Sequence, residues 1–213
     1  PGTFAPQITE AKAVRLGPGI MPVPLKPTRD QLLGGSLDAQ YVELEGILTR
    51  FQTNRNTLVL GTRNGRITLH LTDPVPETCY RCENALVRVR GCLFPEHEEA
   101  THQLILGHMS IDNVTLVVDE PAPEDPFAAT VKKVAELLLY DPRAGALNRV
   151  KVSGVLVHQR GEECYLMDGA NGLRLFLKDP LALDPGSVVE TVGLLELGEV
   201  SPVLRETVVR RIG

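Results

Sequence analysis

The chain has 213 residues, a net charge of −5, 23% charged and 4% aromatic residues, and no Trp. That balance belongs to a folded chain, and the length suffices for two small domains of roughly 80–100 residues each. The negative total supplies no long-range attraction to phosphates or anionic lipid, and no apolar run approaches the ~18 residues of a helical membrane span.

The chain opens at Pro1 with no initiator Met, as expected of an excised or processed piece. Residues 1–29 hold Pro1, Pro6, Pro18, Pro22, Pro24 and Pro27, which forbid helix and give an extended lead-in lying along the first module. Thr28 or Asp30 caps a short helix through Leu33, ended by Gly34-Gly35. Tyr41–Arg50 reads as a strand, and Thr57–Gly61 with Arg66–Leu71 as a hairpin. Asp73–Asn84 fills the space before a strand at Leu86–Leu93. Phe94–His102 reads as an acidic loop, and Leu104–Leu106 and Ser110–Val118 as the last strands. Asp119–Pro126 is an acidic, Pro-rich spacer. Thr130–Tyr140 has helical spacing at Val131, Val134, Leu137 and Leu138.

Val150–Leu177 is the most legible stretch. Val150, Val152, Val155 and Val157 form one apolar alternation around Gly154. Cys164 and Leu166 form a second, and Leu173, Leu175 and Leu177 a third. Gly161 and Asp168–Gly172 supply the turns. Gly154 permits a bulge and a sharp bend in the first strand. Asp184-Pro185-Gly186 is a turn before a strand at Ser187–Leu195, and Ser201–Leu204 and Thr207–Ile212 close the sheet.

The pattern is duplicated. Val42–Gly46 recurs as Val150–Gly154, the hairpin Leu58–Leu71 recurs as the second hairpin, and Val87–Gly91 recurs as Val189–Gly193. Five strands with a helix or loop between the third and fourth match an oligonucleotide/oligosaccharide-binding (OB) barrel. The fold expected is therefore mainly β, with two tandem OB-like five-stranded barrels, each preceded by a short helix. A plain β-sandwich is the alternative, but it needs seven or more strands per module. The divisions are 1–29 lead-in, 30–119 first module, 120–129 linker, and 130–213 helix plus second module.

With the aliphatic set inward, Tyr165, Met167, Arg174 and Phe176 point outward on the central hairpin. That is the face on which such barrels take ligands by stacking and Arg pairing. The competing reading is that this face packs on the other module or the lead-in. The equivalent face of the first module carries Thr57, Val59, Arg66, Thr68 and His70 and lacks aromatics, so no stacking track runs across both modules. Arg66 and His70 are its candidate ligand residues. Arg88, Arg90, Arg210 and Arg211 read as a solvated strand face.

Cys79-Tyr80-Arg81-Cys82 is a lone CxxC. Cys92 with His97 or His102 would complete a zinc set on paper, but a disulfide among Cys79, Cys82 and Cys92 is the more natural state in an oxidising compartment. Otherwise they are free thiols. A thioredoxin-like role lacks its βαβ setting. Cys164 reads as a small buried hydrophobe. In His97–His102 the two His are five apart, the wrong spacing for a zinc-protease helix. No nucleophile elbow, paired carboxylates or phosphate loop is recognisable, so no catalytic residue, metal or cofactor is assigned.

Four stretches, Leu37–Gly46 (LDAQYVELEG), Asp119–Phe127 (DEPAPEDPF), Leu166–Arg174 (LMDGANGLR) and the ending from Ser201 to Gly213, carry a family likeness. On these the chain resembles the extracytoplasmic sensory region of bacterial sensor histidine kinases and related membrane receptors. The resemblance implies a non-enzymatic sensor region at the periplasmic face. Its partner would be a small molecule or an envelope protein, with self-association, and it would touch membrane only through segments outside this chain. Nucleic acid is not expected as a partner under this reading. A single-stranded nucleic-acid-binding OB protein is the alternative, and a scaffold whose faces cover each other is the third.

Overall fold

The computed structural model describes residues 8–62, 65–73, 81–98, 100, 101, 103–137, 147–197 and 201–213. The order is α1 (Arg29–Leu33), β1 (Gln40–Gln52), β2 (Thr57–Thr62), β3 (Gly65–Leu71), β4 (Leu86–His97), β5 (Leu104–Glu120), β6 (Thr130–Val131), α2 (Val134–Leu137), β7 (Arg149–Arg160), β8 (Glu163–Asp168), β9 (Asn171–Leu177), β10 (Val188–Leu197) and β11 (Pro202–Arg211).

The duplicated pattern folds twice into the same layout. In the first module β1-β2-β3-β5-β4 closes into a barrel. In the second the order is β11-β9-β8-β7 with β10 pairing both β11 and β7, so these five strands also return on themselves, with β6 flanking β7. In each copy the third and fifth strands run parallel, β3 with β5 and β9 with β11, and the remaining pairs among the five are antiparallel. The cores are separate. Leu48, Leu58, Leu69 and Ile111 centre the first cluster and Leu156, Leu166, Leu175 and Leu204 the second, all 0% exposed. Each such side chain contributes about 1.5–3 kcal/mol by leaving water.

The repeated glycine has a steric cause. Gly46 pairs with Val87 on β4, and the next residue, Ile47, pairs with Gly61 on β2. In the second copy Gly154 pairs with Val189, and Val155 pairs with Met167. The first strand thus changes neighbours at the glycine. A Cβ on Gly46 would stand 2.8 Å from the Gly61 carbonyl oxygen, and one on Gly154 would press into the Met167 carbonyl. Three residues later each copy carries a bulge, leaving Thr49 and Val157 unpaired against β2 and β8.

Val155 and Val157, expected inward, are 39% and 47% exposed, whereas Val150, Val152 and Leu156 are buried, so the period of two runs unbroken through Gly154 and the bulge falls only at Val157. The bend carries β7 from β10 onto β8. The expected helix over Thr130–Tyr140 is shorter: Thr130 and Val131 pair in parallel with Val150 and Lys151, and only Val134–Leu137 is helical within the described residues. Asp168 accepts from the Val134 N–H at 3.1 Å, so a turn residue also caps α2. α1 carries the expected Thr28 cap as a capping box with Gln31. The two strands expected over Leu104–Val118 are one 17-residue strand, and β4 runs to His97, into the segment read as a loop. The lead-in touches the first barrel at Leu25, whose N–H donates to Tyr41 O at 2.9 Å and whose carbonyl accepts from Glu43 N at 2.8 Å. No helix among the described residues is long and apolar enough to cross a membrane.

The barrels meet through a mixed seam. Leu194 on β10 stands against Gly61 on β2, within 2.8 Å of where its Cβ would be. Arg50 donates to the Lys178 carbonyl at 2.6 Å and to Asp179 at 3.2 Å, and Lys178 pairs with Glu83 at 3.2 Å. Arg66 pairs with Glu206 at 3.4 Å. Arg149 reaches Asn84 Oδ1 at 2.7 Å through one nitrogen, while its Nε and Nη1 are buried without partners.

Candidate nucleic-acid interface

The seam uses the outward side of β2 and β3 in the first module. Thr57 and Val59, expected to face a ligand, are 3% and 4% exposed. Arg66 is tied to Glu206 across the modules. His70 pairs with Glu96 on β4. The first module's outer face is therefore largely used internally.

The second module differs. His158, Tyr165 and Arg174 are direct cross-strand neighbours on β7, β8 and β9, and all three are exposed. Because adjacent strands lie about 4.8 Å apart, they form a row across the sheet. The His158 and Tyr165 rings tilt at 37° with centroids 5.8 Å apart. A second row holds Arg160, Glu163 and Phe176. The Arg174 and Arg205 guanidinium carbons stand over the Phe176 ring at 4.9 and 4.0 Å. Met167, half-buried, lies one step beyond Tyr165 opposite Gly172. The four residues expected on this face are thus together on it, and His158, Arg160 and Arg205 join them. His158 was hidden because the Val157 bulge moves it onto the face. Arg205 was hidden because β11 reaches β9 only by parallel pairing.

Glu163 organises the row. Its carboxylate accepts from the Tyr165 hydroxyl at 2.6 Å and is paired by Arg174. The Tyr165 hydrogen bond, with Arg174 behind it, holds the Glu163 carboxyl below the usual range, and the same bond pushes the Tyr165 phenol up. Tyr165 therefore stays a neutral, oriented ring. Beside His158 a shallow groove of about 650 Å³ runs along Glu162, Leu181 and Pro185. Its wall is fixed by Gln159, which donates to Leu181 O at 2.5 Å and accepts from Leu183 N at 2.8 Å. Of the arginines read as a solvated strand face, Arg88 pairs with Asp119, Arg90 with Glu43 and Arg210 with Glu190.

Cys92 carries a free thiol, which removes it from the expected disulfide, and Cys79 lies outside the described residues. Cys82 is buried in the first core. Cys164 is fully buried, as read, and burial pushes its thiol up.

No family model and no curated protein matches the chain, so the likeness to envelope receptors rests on its quoted motifs alone. Solved structures with a similar OB-like layout include the Ifi202 HINa domain in complex with 20bp dsDNA, at 11% identity, covering 82% of this chain and 97% of that one, TM-score 0.32. The p204 HINb domain is similar at 12% identity over 81% and 97%, TM-score 0.32. A murine DNA binding protein bound with ds DNA is similar at 8% identity over 81% and 98%, TM-score 0.30. The fold is that of tandem OB-like barrels. The expectation that nucleic acid is no partner is corrected, since two of these three domains are held on DNA. It rested on the likeness to envelope receptors, on the whole-chain charge of −5 and on 4% aromatics with no Trp, and whole-chain sums do not describe one face.

Proposed function

We propose that the chain binds single-stranded nucleic acid on the outward face of β7, β8 and β9. The observation that carries this is the row His158–Tyr165–Arg174 beside Phe176 with its two guanidiniums. Rings accept any base by stacking, at about 1–3 kcal/mol per base, and Arg planes both stack and pair with phosphate. Stacking on Tyr165, and on the guanidinium planes that Phe176 carries, needs unpaired bases, so an oligonucleotide binds more tightly than a duplex of the same length. The net charge gives no long-range steering, and Arg160, Arg174 and Arg205 meet at most three phosphates. Log affinity therefore falls with log salt at a slope of about −2.

Fluorescence anisotropy of a labelled oligonucleotide tests this. Tyr165→Ala and Phe176→Ala each weaken binding about tenfold or more, since 1.4 kcal/mol is a factor of ten. No binding at low salt, or binding indifferent to both substitutions in folded protein, removes the reading.

A further inference from the structure

On the first barrel, remote from that row, three side chains converge that spacing in the chain does not connect. His70 is on β3, Glu96 on β4 and His108 on β5. β5 lies between β3 and β4. One ligand atom from each lies within 4.8 Å of the other two. His70 Nδ1 is paired with Glu96 Oε1, and the Ser110 hydroxyl donates to the same oxygen at 2.8 Å. The two imidazoles meet edge to face, centroids 6.0 Å apart at 68°. An ion pair accounts for His70 and Glu96 but not for a second imidazole aimed at the same point.

We propose that His70, Glu96 and His108 bind one divalent transition-metal ion of the zinc class. Two imidazoles and a carboxylate are a borderline donor set that suits Zn²⁺ and leaves a fourth position for water. Tetrahedral bonds of about 2.0–2.1 Å put ligand atoms roughly 3.3 Å apart. The His70–Glu96 pair must open and His108 must draw in to reach that spacing, both a matter of side-chain rotation, and the His70 side chain is 42% exposed and able to turn. The strand backbone holds the three Cα positions through the β3–β5 and β4–β5 pairings, Thr68 with His108, His70 with Ser110 and Phe94 with Ser110. Ser110 orients the carboxylate from outside the ligand set, a role that supports metal affinity. The bound ion would tie three strands on the rim of the first barrel, leaving the nucleic-acid reading on the second barrel independent.

The test is titration of the full chain with Co²⁺ followed by displacement with Zn²⁺, read by absorption and calorimetry. One ion per chain is expected, without a thiolate charge-transfer band, weakened at least tenfold by His108→Ala and by Glu96→Gln, and retained in Cys79→Ser/Cys82→Ser. Far-UV circular dichroism checks folding, and Glu96→Gln serves if His108→Ala unfolds. Absence of binding at large metal excess overturns the proposal. So does binding that survives both ligand substitutions, or that disappears with the cysteines.

Discussion

Arg205 on β11 lies over the ring of Phe176 on β9, its guanidinium carbon 4.0 Å from the centroid, while its Nε holds Glu196 at 3.0 Å. The contact joins two strands that come together only through the parallel closure of the second barrel. It also sets a planar cation beside the exposed aromatic row. Arg205→Ala is expected to weaken oligonucleotide binding about three- to tenfold and to flatten the salt slope by about 0.7. Arg205→Lys restores the slope but not the full affinity, because an ammonium cannot stack. Anisotropy at several salt concentrations distinguishes the two.

Gly154→Ala tests the duplicated bend. The added methyl meets the Met167 carbonyl oxygen and the Leu166 side chain, and neither backbone can yield without breaking the β7–β8 register. A loss of about 1–3 kcal/mol is expected by urea unfolding. At Gly161 a Cβ meets nothing, but φ is +62°, so Gly161→Ala costs about 1 kcal/mol through backbone strain alone.

Arg149 at the seam offers a different sign. Burial lowers the pKa of its guanidinium, Glu206 only partly opposes this, and two of its nitrogens have no partner. Replacing a poorly satisfied buried cation by an apolar side chain of similar length is neutral or favourable. Arg149→Met should therefore hold or raise the melting temperature, whereas a substitution that merely lost a good ion pair would lower it.

How much of this was legible depends on which contacts are local. The hairpin alternation put Leu173 and Leu175 inside, at 3% and 0% exposure, and Gly154 marked the bend. Val155 and Val157 were misplaced because a change of phase was expected at Gly154, whereas Val152 and Leu156 keep one alternation through it and the bulge, a slip relative to β8 that no single strand displays, falls at Val157. Val131 fitted a helical spacing but was claimed by pairing with Lys151, a tertiary contact that overrode a short local preference. Tyr165, Arg174 and Phe176 were visible because they share one hairpin. Arg205 was not, because only the parallel β9–β11 pairing brings it in, and the grouping of His70, Glu96 and His108 was not, because it needs the parallel β3–β5 and the antiparallel β4–β5 pairings of distant strands.

Acid should loosen the first barrel through Glu43. This carboxylate is 6% exposed and held by Arg90 at 2.7 Å and Lys26 at 3.1 Å. The Arg90 hydrogen bond, with Lys26 adding to it, keeps its pKa below the ordinary carboxylate value against the opposing effect of burial. Its stabilisation is thus present above the unfolded value and lost as pH falls through the depressed folded one. Glu43→Gln should cost about 1 kcal/mol near neutrality, discounted for the exposed cations, and the gap from the parent should close in acid. Urea unfolding at neutral and acid pH reads both.

The most direct test is amide chemical-shift mapping of the labelled chain titrated with a short thymidine oligonucleotide. Shifts concentrated at His158, Arg160, Tyr165, Arg174, Phe176 and Arg205, with the first barrel silent, are the expected result. Saturating shifts confined to the first barrel, or none at low salt, would contradict the assignment of this face to nucleic acid.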